Sequence, residues 1–331
     1  MIISRTPFRV SFFGGGTDLP AFYQNESGAV VSTTINRYMY ITVHPVSPLY
    51  DHHIRLSYRK TEVVHSVQEL QHPVVRAALE MLGFHEPIEI TSIADIPART
   101  GLGSSSSFTV GLLHALHVFR GEYVSAEQLA QEACHVEIDL LGEPIGRQDQ
   151  YAAAYGGLRY YEFLPDHTVR VSPVLCSRKT IDALHRSLMM FYTGGSRSAR
   201  EILSRQSKET QNKHEDLREM RDLCSEALHI LACGNNLVAF GDLLHHAWQL
   251  KRDLVDGITN ERIDGIYNRA RQAGAIGGKL LGAGGAGFLL LFVEQRHHDR
   301  VRAALSDLIE VPFDLESEGS KIIYYVDGRC A

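Results

Sequence analysis

Residues 97–107 read PARTGLGSSSS, a composition typical of a turn that binds an anion. Alternating apolar residues over 88–93 predict a strand before this run, and apolar residues at helical spacing over 108–119 predict a helix after it. The unpaired N–H groups at the start of that helix and the positive end of its dipole attract negative charge. Gly101 and Gly103 let the backbone approach a ligand closely, and the four hydroxyls add donors and a candidate metal ligand. A polar linker with a good N-cap is the alternative, but the pattern favours a phosphate-binding loop.

A second glycine-rich turn, residues 14–16, follows a predicted strand over 2–13 that Pro7 interrupts. Glycines at a strand end indicate a tight turn or a close approach of backbone to ligand. Arg9 lies before the turn and Asp18 after it, so a cation and a carboxylate could flank one pocket. An ordinary loop with an Asx turn is the alternative.

A third glycine-rich run, residues 277–287, reads GGKLLGAGGAG. Residues 282–287 satisfy the GxGxxG dinucleotide fingerprint, which needs a strand before it and a helix after it. We expect a helix over 260–273 before the run and a strand over 288–293 after it, which excludes a dinucleotide site. The run also lacks the Walker A spacing, and the serine run lacks the GxSxG of a nucleophile elbow.

Acidic residues cluster after the serine-rich loop. A predicted helix over 125–141 carries Glu137 and Asp139 near its end. Acidic groups are unfavourable there because of the helix dipole, so these two either face solvent or serve a cation. Asp149 follows in the short polar stretch RQDQY. The sequence TGGSRSAR at 193–200 repeats the anion-site pattern, with an exposed helix start carrying two arginines as the alternative.

The composition is that of an ordinary globular protein: 331 residues, 44% hydrophobic and 22% charged. A net charge of −6 argues against a nucleic-acid or anionic-membrane partner, and no apolar run approaches the ~18 residues of a membrane span. The first residues do not form a signal-peptide pattern. Five cysteines without a CxxC pair and seventeen histidines without HExxH spacing argue against zinc and disulfides. We expect free thiols in the cytoplasm.

The order of predicted elements indicates an α+β fold, because strands and helices mix without a regular βαβ repeat. We expect further strands over 28–35, 38–46, 54–64, 156–163, 168–174, 185–192, 311–315 and 320–327, and further helices over 66–83, 196–232 with a break near Asn212, 235–255 and 296–308. A composition shift near 175–185 predicts two domains, residues 1–178 and 179–331. The helices of 196–273 could carry a homodimer face, although apolar stripes more often form intramolecular core.

Three separate motifs together resemble those of the GHMP small-molecule kinases, over essentially the whole chain. RVSFFGGGTD at 9–18 resembles the first family motif, GLGSSS at 101–106 the ATP-binding second, and KLLGAGGAGF at 279–288 the third. The resemblance implies an N-terminal domain similar to a ribosomal-protein fold, a C-terminal ferredoxin-like domain and an ATP cleft between them. The first and third motifs are most similar to the branch that holds heptose 7-phosphate kinases and fucokinases. Galactokinases carry Gly-Glu-His where this chain has residues 14–16.

The resemblance further implies ATP and Mg²⁺ as cofactors. The ATP phosphates would be held by the backbone of Gly101, Leu102, Gly103, Ser104, Ser105 and Ser106. Ser105 and Glu137 align with the metal ligands, and Mg²⁺ accepts such a pair when phosphates and waters complete its octahedron. Asp149 aligns with the catalytic aspartate, which takes the proton of the attacking hydroxyl or orients it. Arg9 aligns with an arginine near the transferred phosphate, where it could neutralise developing charge.

On the substrate side, Asp18 aligns with a sugar-hydroxyl ligand, with Gly16 and Thr17 beside it. Gly284 and Gly285 belong to the run that would close this side of the cleft. A phosphate at the far end of the substrate could be held by a cation that flanks a glycine-rich strand or helix end. The candidates are Arg197, Arg200 and Lys279.

These assignments predict an ATP-dependent sugar kinase. It would phosphorylate the anomeric hydroxyl of D-glycero-D-manno-heptose 7-phosphate, giving the 1,7-bisphosphate for nucleotide-activated heptose and surface polysaccharide. One alternative is a fucokinase-like enzyme on an unphosphorylated sugar, and another is a non-catalytic sugar-binding sensor. The complete set of Asp149, Glu137 and Ser105 argues against the sensor, and the weaker first-motif resemblance argues against a decarboxylase acting on an isoprenoid diphosphate.

Overall fold

The computed structural model describes residues 1–98, 100–195, 199–210 and 212–326. In chain order its strands are β1 Ile2–Phe13, β2 Gly28–Pro45, β3 Ile54–Ser57, β4 Thr61–Val64, β5 Ile88–Ala94, β6 Arg159–Phe163, β7 Val169–Pro173, β8 Leu188–Tyr192, β9 Ala275–Leu280, β10 Phe288–Val293, β11 Ile309–Glu310, β12 Leu315–Glu316 and β13 Lys321–Tyr325. Its α-helices are α1 Pro20–Tyr23, α2 Pro73–Met81, α3 Ser104–Phe119, α4 Ala126–Cys134, α5 Gln148–Tyr155, α6 Arg178–Arg186, α7 Ala199–Glu209, α8 His214–Cys233, α9 Val238–Arg252, α10 Glu261–Ala273 and α11 His298–Ala304. A π-helix, His135–Leu140, continues α4, and short 3₁₀ turns cover Val67–Glu69 and Gln295–His297.

Strands from the first half of the chain, joined by β12 and β13, build one large sheet, whose main path has the order β13-β1-β2-β5-β3-β4. β6 pairs with β2 and with β7, so it extends the sheet on a second path. The pairing is antiparallel except between β3 and β5, which run parallel. α3 packs on β1 and β2. This mixture of strands and helices confirms the expected α+β class.

β2 is one unbroken strand, whereas the sequence predicts two strands, over 28–35 and 38–46, with a turn between them at Asn36; that turn is wrong. The pairing of β2 with β1 shifts register next to Pro7, which makes room for extra residues in β2. Asn36 bonds instead to a late segment of the chain: its N–H donates to Asp314 O at 3.0 Å and its side chain to Asp314 Oδ2 at 2.8 Å. A distant partner therefore replaces the local turn.

β9 contains the first residues of the third glycine run and precedes residues 282–287, which corrects the expectation that a helix leads directly into the run. β9 and β10 form an antiparallel hairpin in a second sheet of order β11-β8-β10-β9. A Cβ on Gly277 would lie 1.9 Å from Gly241 O, so only glycine lets α9 lie this close to the strand. Glycine has low strand propensity, which is why the pattern hid this strand. The dinucleotide fingerprint still fails, because a strand and not a helix follows the run.

Several helices differ from their predicted bounds. The helix expected over 66–83 is only α2, which starts at Pro73 because proline favours the first helical position and His72 accepts the Val75 N–H as N-cap. The helix expected over 125–141 is α4, with Ser125 as N-cap, followed by the π-helix. The strand expected over 54–64 is the β3–β4 hairpin, and α6 lies where no helix was predicted.

The two halves of the chain share a core. Phe240 of α9 packs edge to face on Phe12 and Phe13 of β1, with ring centroids 5.3 and 5.1 Å apart, and also contacts Phe292 of β10. β13 pairs with β1 and β12 with β2, so the end of the chain completes the first sheet. The C-terminal half of β1 is thereby held against the second sheet. Across the described ranges, no helix combines the length and apolar character needed to cross a membrane.

Candidate active site

Residues 100–103 form the turn between β5 and α3 that the sequence predicts as a phosphate loop. Gly101 has φ 88° and Gly103 has φ 74°, both in the left-handed region. Gly103 immediately precedes α3, a helix of 16 residues. The first N–H groups of a helix lack acceptors within it, and its dipole favours an anion at that end. The turn therefore has the geometry of a phosphate-binding site.

The third glycine run lies directly on this turn. A Cβ on Gly101 would lie 2.4 Å from Leu281 O, and a Cβ on Gly282 would lie 2.4 Å from Gly101 Cα. Gly287 approaches Thr100 in the same way, with its Cβ position 2.3 Å from Thr100 O. Side chains at these positions would force the two segments apart. We call the pair of segments 100–103 and 281–287 the double loop.

Arg9 and Asp149 form a bidentate ion pair beside the double loop. Arg9 Nε donates to Asp149 Oδ1 and Arg9 Nη2 to Asp149 Oδ2, both at 2.8 Å. Arg9 Nη1 donates to Gly101 O at 2.6 Å. The side chain of Arg9 is 6% exposed and that of Asp149 25%. A fixed cation and an accessible carboxylate thus lie next to the phosphate turn.

Asp18 is a second carboxylate near this pair and is buried. Its Oδ1 accepts the Gly16 N–H at 2.9 Å and its Oδ2 the Gln148 N–H at 3.3 Å. Burial raises the pKa of Asp18; the hydrogen bond from Gly16 lowers it, and the Asp149 charge raises it again. The first and second glycine-rich turns, far apart in sequence, therefore contribute to one polar region.

Glu137 lies in the π-helix that follows α4, a kind of turn often found at functional sites. Its carboxylate accepts hydrogen bonds from four side chains at 2.7–3.1 Å: Ser105 Oγ, Ser106 Oγ, Gln150 Nε2 and Thr109 Oγ1. Burial raises the pKa of Glu137, and these hydrogen bonds lower it. The acid is thus tied to the start of α3. Asp139, by contrast, pairs with His135 on the surface.

The donor set around Glu137 fits a hard divalent cation that also binds phosphate. Ser105 Oγ and Glu137 Oε1 lie 2.7 Å apart, and Ser105 is exposed. Among the described residues, no cluster of three or more His, Cys, Asp or Glu side chains could hold a metal by itself. Mg²⁺ commonly binds one or two carboxylates and completes its octahedron with phosphate and water. These two side chains are therefore sufficient only together with a nucleotide.

Lys251 of α9 also reaches this region, and the sequence analysis missed it. Its ammonium donates to Gly282 O in the double loop. The pKa of Lys251 is lowered to about 8, because burial and then the Arg9 charge lower it more than Asp18 and Asp149 raise it. One sequence signal could have revealed this residue: it continues a buried helical stripe, which comprises Leu244, Ala247 and Trp248.

The sequence analysis also missed two polar atoms, which indicate where a polar ligand could bind. Ser11 Oγ and Gln148 Oε1 are buried without a hydrogen-bond partner in the described part of the chain. Both side chains lie near Gly15, whose Cβ position would be 3.8 Å from Ser11 Oγ and 3.7 Å from Gln148 Nε2. Buried polar groups without partners are rare in native proteins. A ligand with several hydroxyls would satisfy them.

The first-motif residues beside Asp18 are bonded to the protein itself. The Thr17 hydroxyl has one proton to share between two acceptors, Gly14 O at 2.8 Å and Ala29 O at 2.9 Å, and it accepts the Ala29 N–H at 3.0 Å. Gly16 lies against Gln206 of α7, because a Cβ there would be 2.3 Å from Gln206 Nε2. Both residues shape the turn that carries Asp18.

The remaining predicted substrate residues lie in different settings. Ile258 O accepts the Gly285 N–H at 2.9 Å, and Gly284 packs closely against the backbone of Ile258. Lys279 of β9 is buried and donates to Phe12 O at 2.8 Å, and burial lowers its pKa well below its usual value. Arg200, in the first turn of α7, is exposed and lies 3.4 Å from Glu143. Arg197 lies outside the described residues.

Comparison with known proteins identifies two family models that match this chain. The model described as "GHMP kinases N terminal domain" matches residues 67–157, which include the phosphate turn, Glu137 and Asp149. The model described as "GHMP kinases C terminal" matches residues 220–311, which include Lys251 and the third glycine run. The first match lies in the part of the chain that contributes to the first sheet, and the second match lies in the part that contributes to the second sheet.

Similar proteins include several kinases. The chain is 26% identical over 313 residues to a D-glycero-alpha-D-manno-heptose 7-phosphate kinase of Campylobacter jejuni, covering 88% of this chain and 89% of that protein. It is 27% identical over 338 residues to an L-fucokinase/L-fucose-1-P guanylyltransferase of Bacteroides fragilis, covering 88% of this chain but 34% of that protein. The crystal structure of a D-glycero-D-manno-heptose 1-phosphate kinase from Bacteroides thetaiotaomicron aligns with TM-score 0.81 and 24% identity, over 99% of this chain and 100% of that chain. This last likeness concerns the fold.

Proposed function

This chain belongs to the GHMP kinase family and is an ATP-dependent kinase, and from that premise we propose that its acceptor is the anomeric hydroxyl of D-glycero-D-manno-heptose 7-phosphate. The observation that carries the assignment of the site is the Arg9–Asp149 pair, held against Gly101 O at the phosphate turn. The Campylobacter relative supports the choice of sugar, because it matches this chain over nearly the full length of both. The product would be heptose 1,7-bisphosphate, made in the cytoplasm for nucleotide-activated heptose and surface polysaccharide.

On the donor side, the backbone from Gly101 to Ser106 binds the phosphates of ATP at the start of α3. Ser105 and Glu137 hold Mg²⁺, which would neutralise phosphate charge when bound. The buried network around Glu137 keeps its carboxylate aimed at Ser105. This arrangement supplies positioning and electrostatics, which are the main requirements of phosphoryl transfer.

On the acceptor side, Asp149 faces the attacking hydroxyl with its accessible edge, while Arg9 fixes the orientation of the carboxylate. The bond from the γ-phosphorus to the β–γ bridging oxygen breaks, a bond to the sugar oxygen forms, and the hydroxyl proton leaves towards Asp149. Arg9 offsets negative charge as the transition state forms. Asp18, Ser11 and Gln148 bind neighbouring hydroxyls of the sugar. The unpartnered Ser11 Oγ and Gln148 Oε1 support this assignment.

The 7-phosphate requires a cation at the far end of the sugar. Arg200 suits this role best among the described candidates, because it is exposed and lies at the start of α7. Arg197 and Lys279 are the other candidates. Kinetics of Arg200→Ala and Arg197→Ala with phosphorylated and unphosphorylated heptose distinguish these candidates. The variant that lacks the phosphate-binding residue should lose activity only on the phosphorylated sugar.

A panel of sugars with Mg²⁺ and ATP, followed by measurement of ADP release, tests the proposed acceptor. Heptose 7-phosphate should have the highest kcat/KM, and the new phosphate should be at the anomeric carbon by NMR. Preference for fucose would support the fucokinase alternative, which the Bacteroides relative suggests. Saturable sugar binding without turnover would instead support a sensor, and Asp149→Asn should then change nothing measurable.

A further inference from the structure

We propose that Lys251 is a ligand of the γ-phosphate of ATP, contacting the transferred phosphoryl group from the C-terminal half of the chain. The proposal rests on the chain being an ATP-dependent kinase and is independent of which sugar it uses. None of the three glycine-rich motifs contains this residue. Its position, its charge environment and its free donors each support the role.

The position of Lys251 is defined by a short series of contacts. Its Nζ donates to Gly282 O. The backbone of Gly282 lies on that of Gly101, which begins the phosphate turn. Gly101 O in turn accepts a hydrogen bond from Arg9. Lys251 and Arg9 therefore each bond to one of the two segments of the double loop, and one of these segments leads directly into α3.

The charges around Lys251 leave a place for an anion. The groups that act on it are Arg9, Asp18 and Asp149, which are the groups expected to surround the transferred phosphoryl group. Asp149 is already paired with Arg9, and across the described residues no carboxylate lies within ion-pair distance of the Lys251 ammonium. A buried charge without a matching counter-charge is costly. A γ-phosphate would balance it.

Lys251 also has donors to give. An ammonium group carries three N–H donors, and one of them goes to Gly282 O. Arg9 likewise keeps two of its five donors, because Asp149 and Gly101 O take the other three. Lys279 is less suitable, since its ammonium donates to Phe12 O and the charged groups that act on it are Lys251 and Arg9, not the two carboxylates. Lys251 therefore binds non-bridging oxygens and keeps its proton throughout the transfer.

Nucleotide binding without any sugar tests this role. Wild type, Lys251→Met and Arg252→Met are titrated calorimetrically with ADP and with the β,γ-imido analogue of ATP, both with Mg²⁺. Lys251→Met should weaken the triphosphate analogue about 10- to 100-fold, the value of a charge-assisted hydrogen bond, and ADP less than about twofold. Arg252 is the next residue of the same helix and pairs with Asp253 at the surface, so its variant should change neither.

Equal weakening of both nucleotides, or an unchanged triphosphate affinity, would overturn the proposal. Thermal unfolding of each variant shows that it is folded, and Lys251→Gln, which keeps a donor for Gly282 O, replaces Lys251→Met if the latter does not fold. Because no acceptor is present, a failed sugar panel and a failed Lys251 experiment are separate results. The first rejects heptose as substrate, and the second rejects the γ-phosphate contact.

Discussion

Gly282 and Gly101 meet backbone against backbone, so closely that a Cβ on Gly282 would lie 2.4 Å from Gly101 Cα. This contact joins the turn at residues 100–103, which we propose binds phosphate, to the third glycine run. It also brings Lys251 to the phosphate turn, since Gly282 O accepts its hydrogen bond. The geometry of the site thus depends on a backbone contact that a side chain on Gly282 would disrupt.

Gly282→Ala should therefore impair the enzyme more than backbone strain explains. Gly282 has φ 73° and Gly83 has φ 59°, but a Cβ on Gly83 would have no atom within 4 Å. Gly83→Ala should cost about 1–2 kcal/mol of stability from left-handed strain alone and leave kcat/KM unchanged. Gly282→Ala should add a loss in kcat/KM on the order of 10²-fold, because the double loop separates. Similar kinetics in both variants would contradict this explanation.

Arg9→Lys should lower kcat by about 10²-fold or more while the affinity for sugar changes little. A lysine cannot hold both oxygens of Asp149 and Gly101 O together, as Arg9 does. Arg55→Lys is the control, because Arg55 and Glu89 form an exposed ion pair away from the site. Steady-state kinetics with sugar binding measured separately would check this. A normal kcat in Arg9→Lys would show that the bidentate geometry is unnecessary.

Ser105→Ala and Ser106→Ala should separate metal binding from support of Glu137. Both hydroxyls donate to this carboxylate at 2.7 Å, but Ser105 is exposed and Ser106 is buried. Ser105→Ala should raise the Mg²⁺ concentration for half-maximal activity about tenfold or more. Ser106→Ala should leave that concentration nearly unchanged and lower stability by about 1–3 kcal/mol. Mg²⁺ titrations at fixed ATP, together with thermal unfolding, measure both effects. Equal Mg²⁺ requirements in the two variants would remove Ser105 as a metal ligand.

His117 should make stability depend on pH. It lies between Glu132 at 2.7 Å and Glu122 at 2.8 Å. The hydrogen bond to Glu132 raises the pKa of His117, burial lowers it, and Glu122 raises it again, with a net rise. The stabilisation is therefore fully present below pH ~6.5, the unfolded value, and is lost as pH rises through the higher folded value.

The stability difference between wild type and His117→Gln should thus be about 1–2 kcal/mol at pH 6, smaller than for a fully buried pair because Glu122 is 40% exposed. It should shrink towards alkaline pH. His135→Gln is the control, since His135 pairs with Asp139 on the surface. Denaturant unfolding from pH 5.5 to 9 measures both. A difference that grows with pH would have the wrong sign for this arrangement.

The sequence predicted the glycine turns well, because positive φ and helix starts leave a local record in residue type. The catalytic role of Asp149 came from the family resemblance and stays a prediction. The sequence did not predict β9, because the close approach of α9 requires glycine at residue 277 and glycine has low strand propensity. Ser11, Gln148 and Lys251 were missed because residues distant in sequence bring each of them to the site. Asn36 shows the same limit: its turn-forming character was outweighed by Asp314. The predicted division at residues 178 and 179, and a homodimer, stay predictions.

The pairing of β13 with β1 has a consequence for how this protein is made. Arg9 lies in β1, whereas β13, the outer neighbour of that strand, is the last of the described strands to be synthesised. The Met1 ammonium even donates to Val326 O, at 2.8 Å. Until β13 has been synthesised, the edge of β1 has exposed N–H and C=O groups that can pair with another chain. The nascent chain is therefore prone to aggregate for as long as β13 is missing.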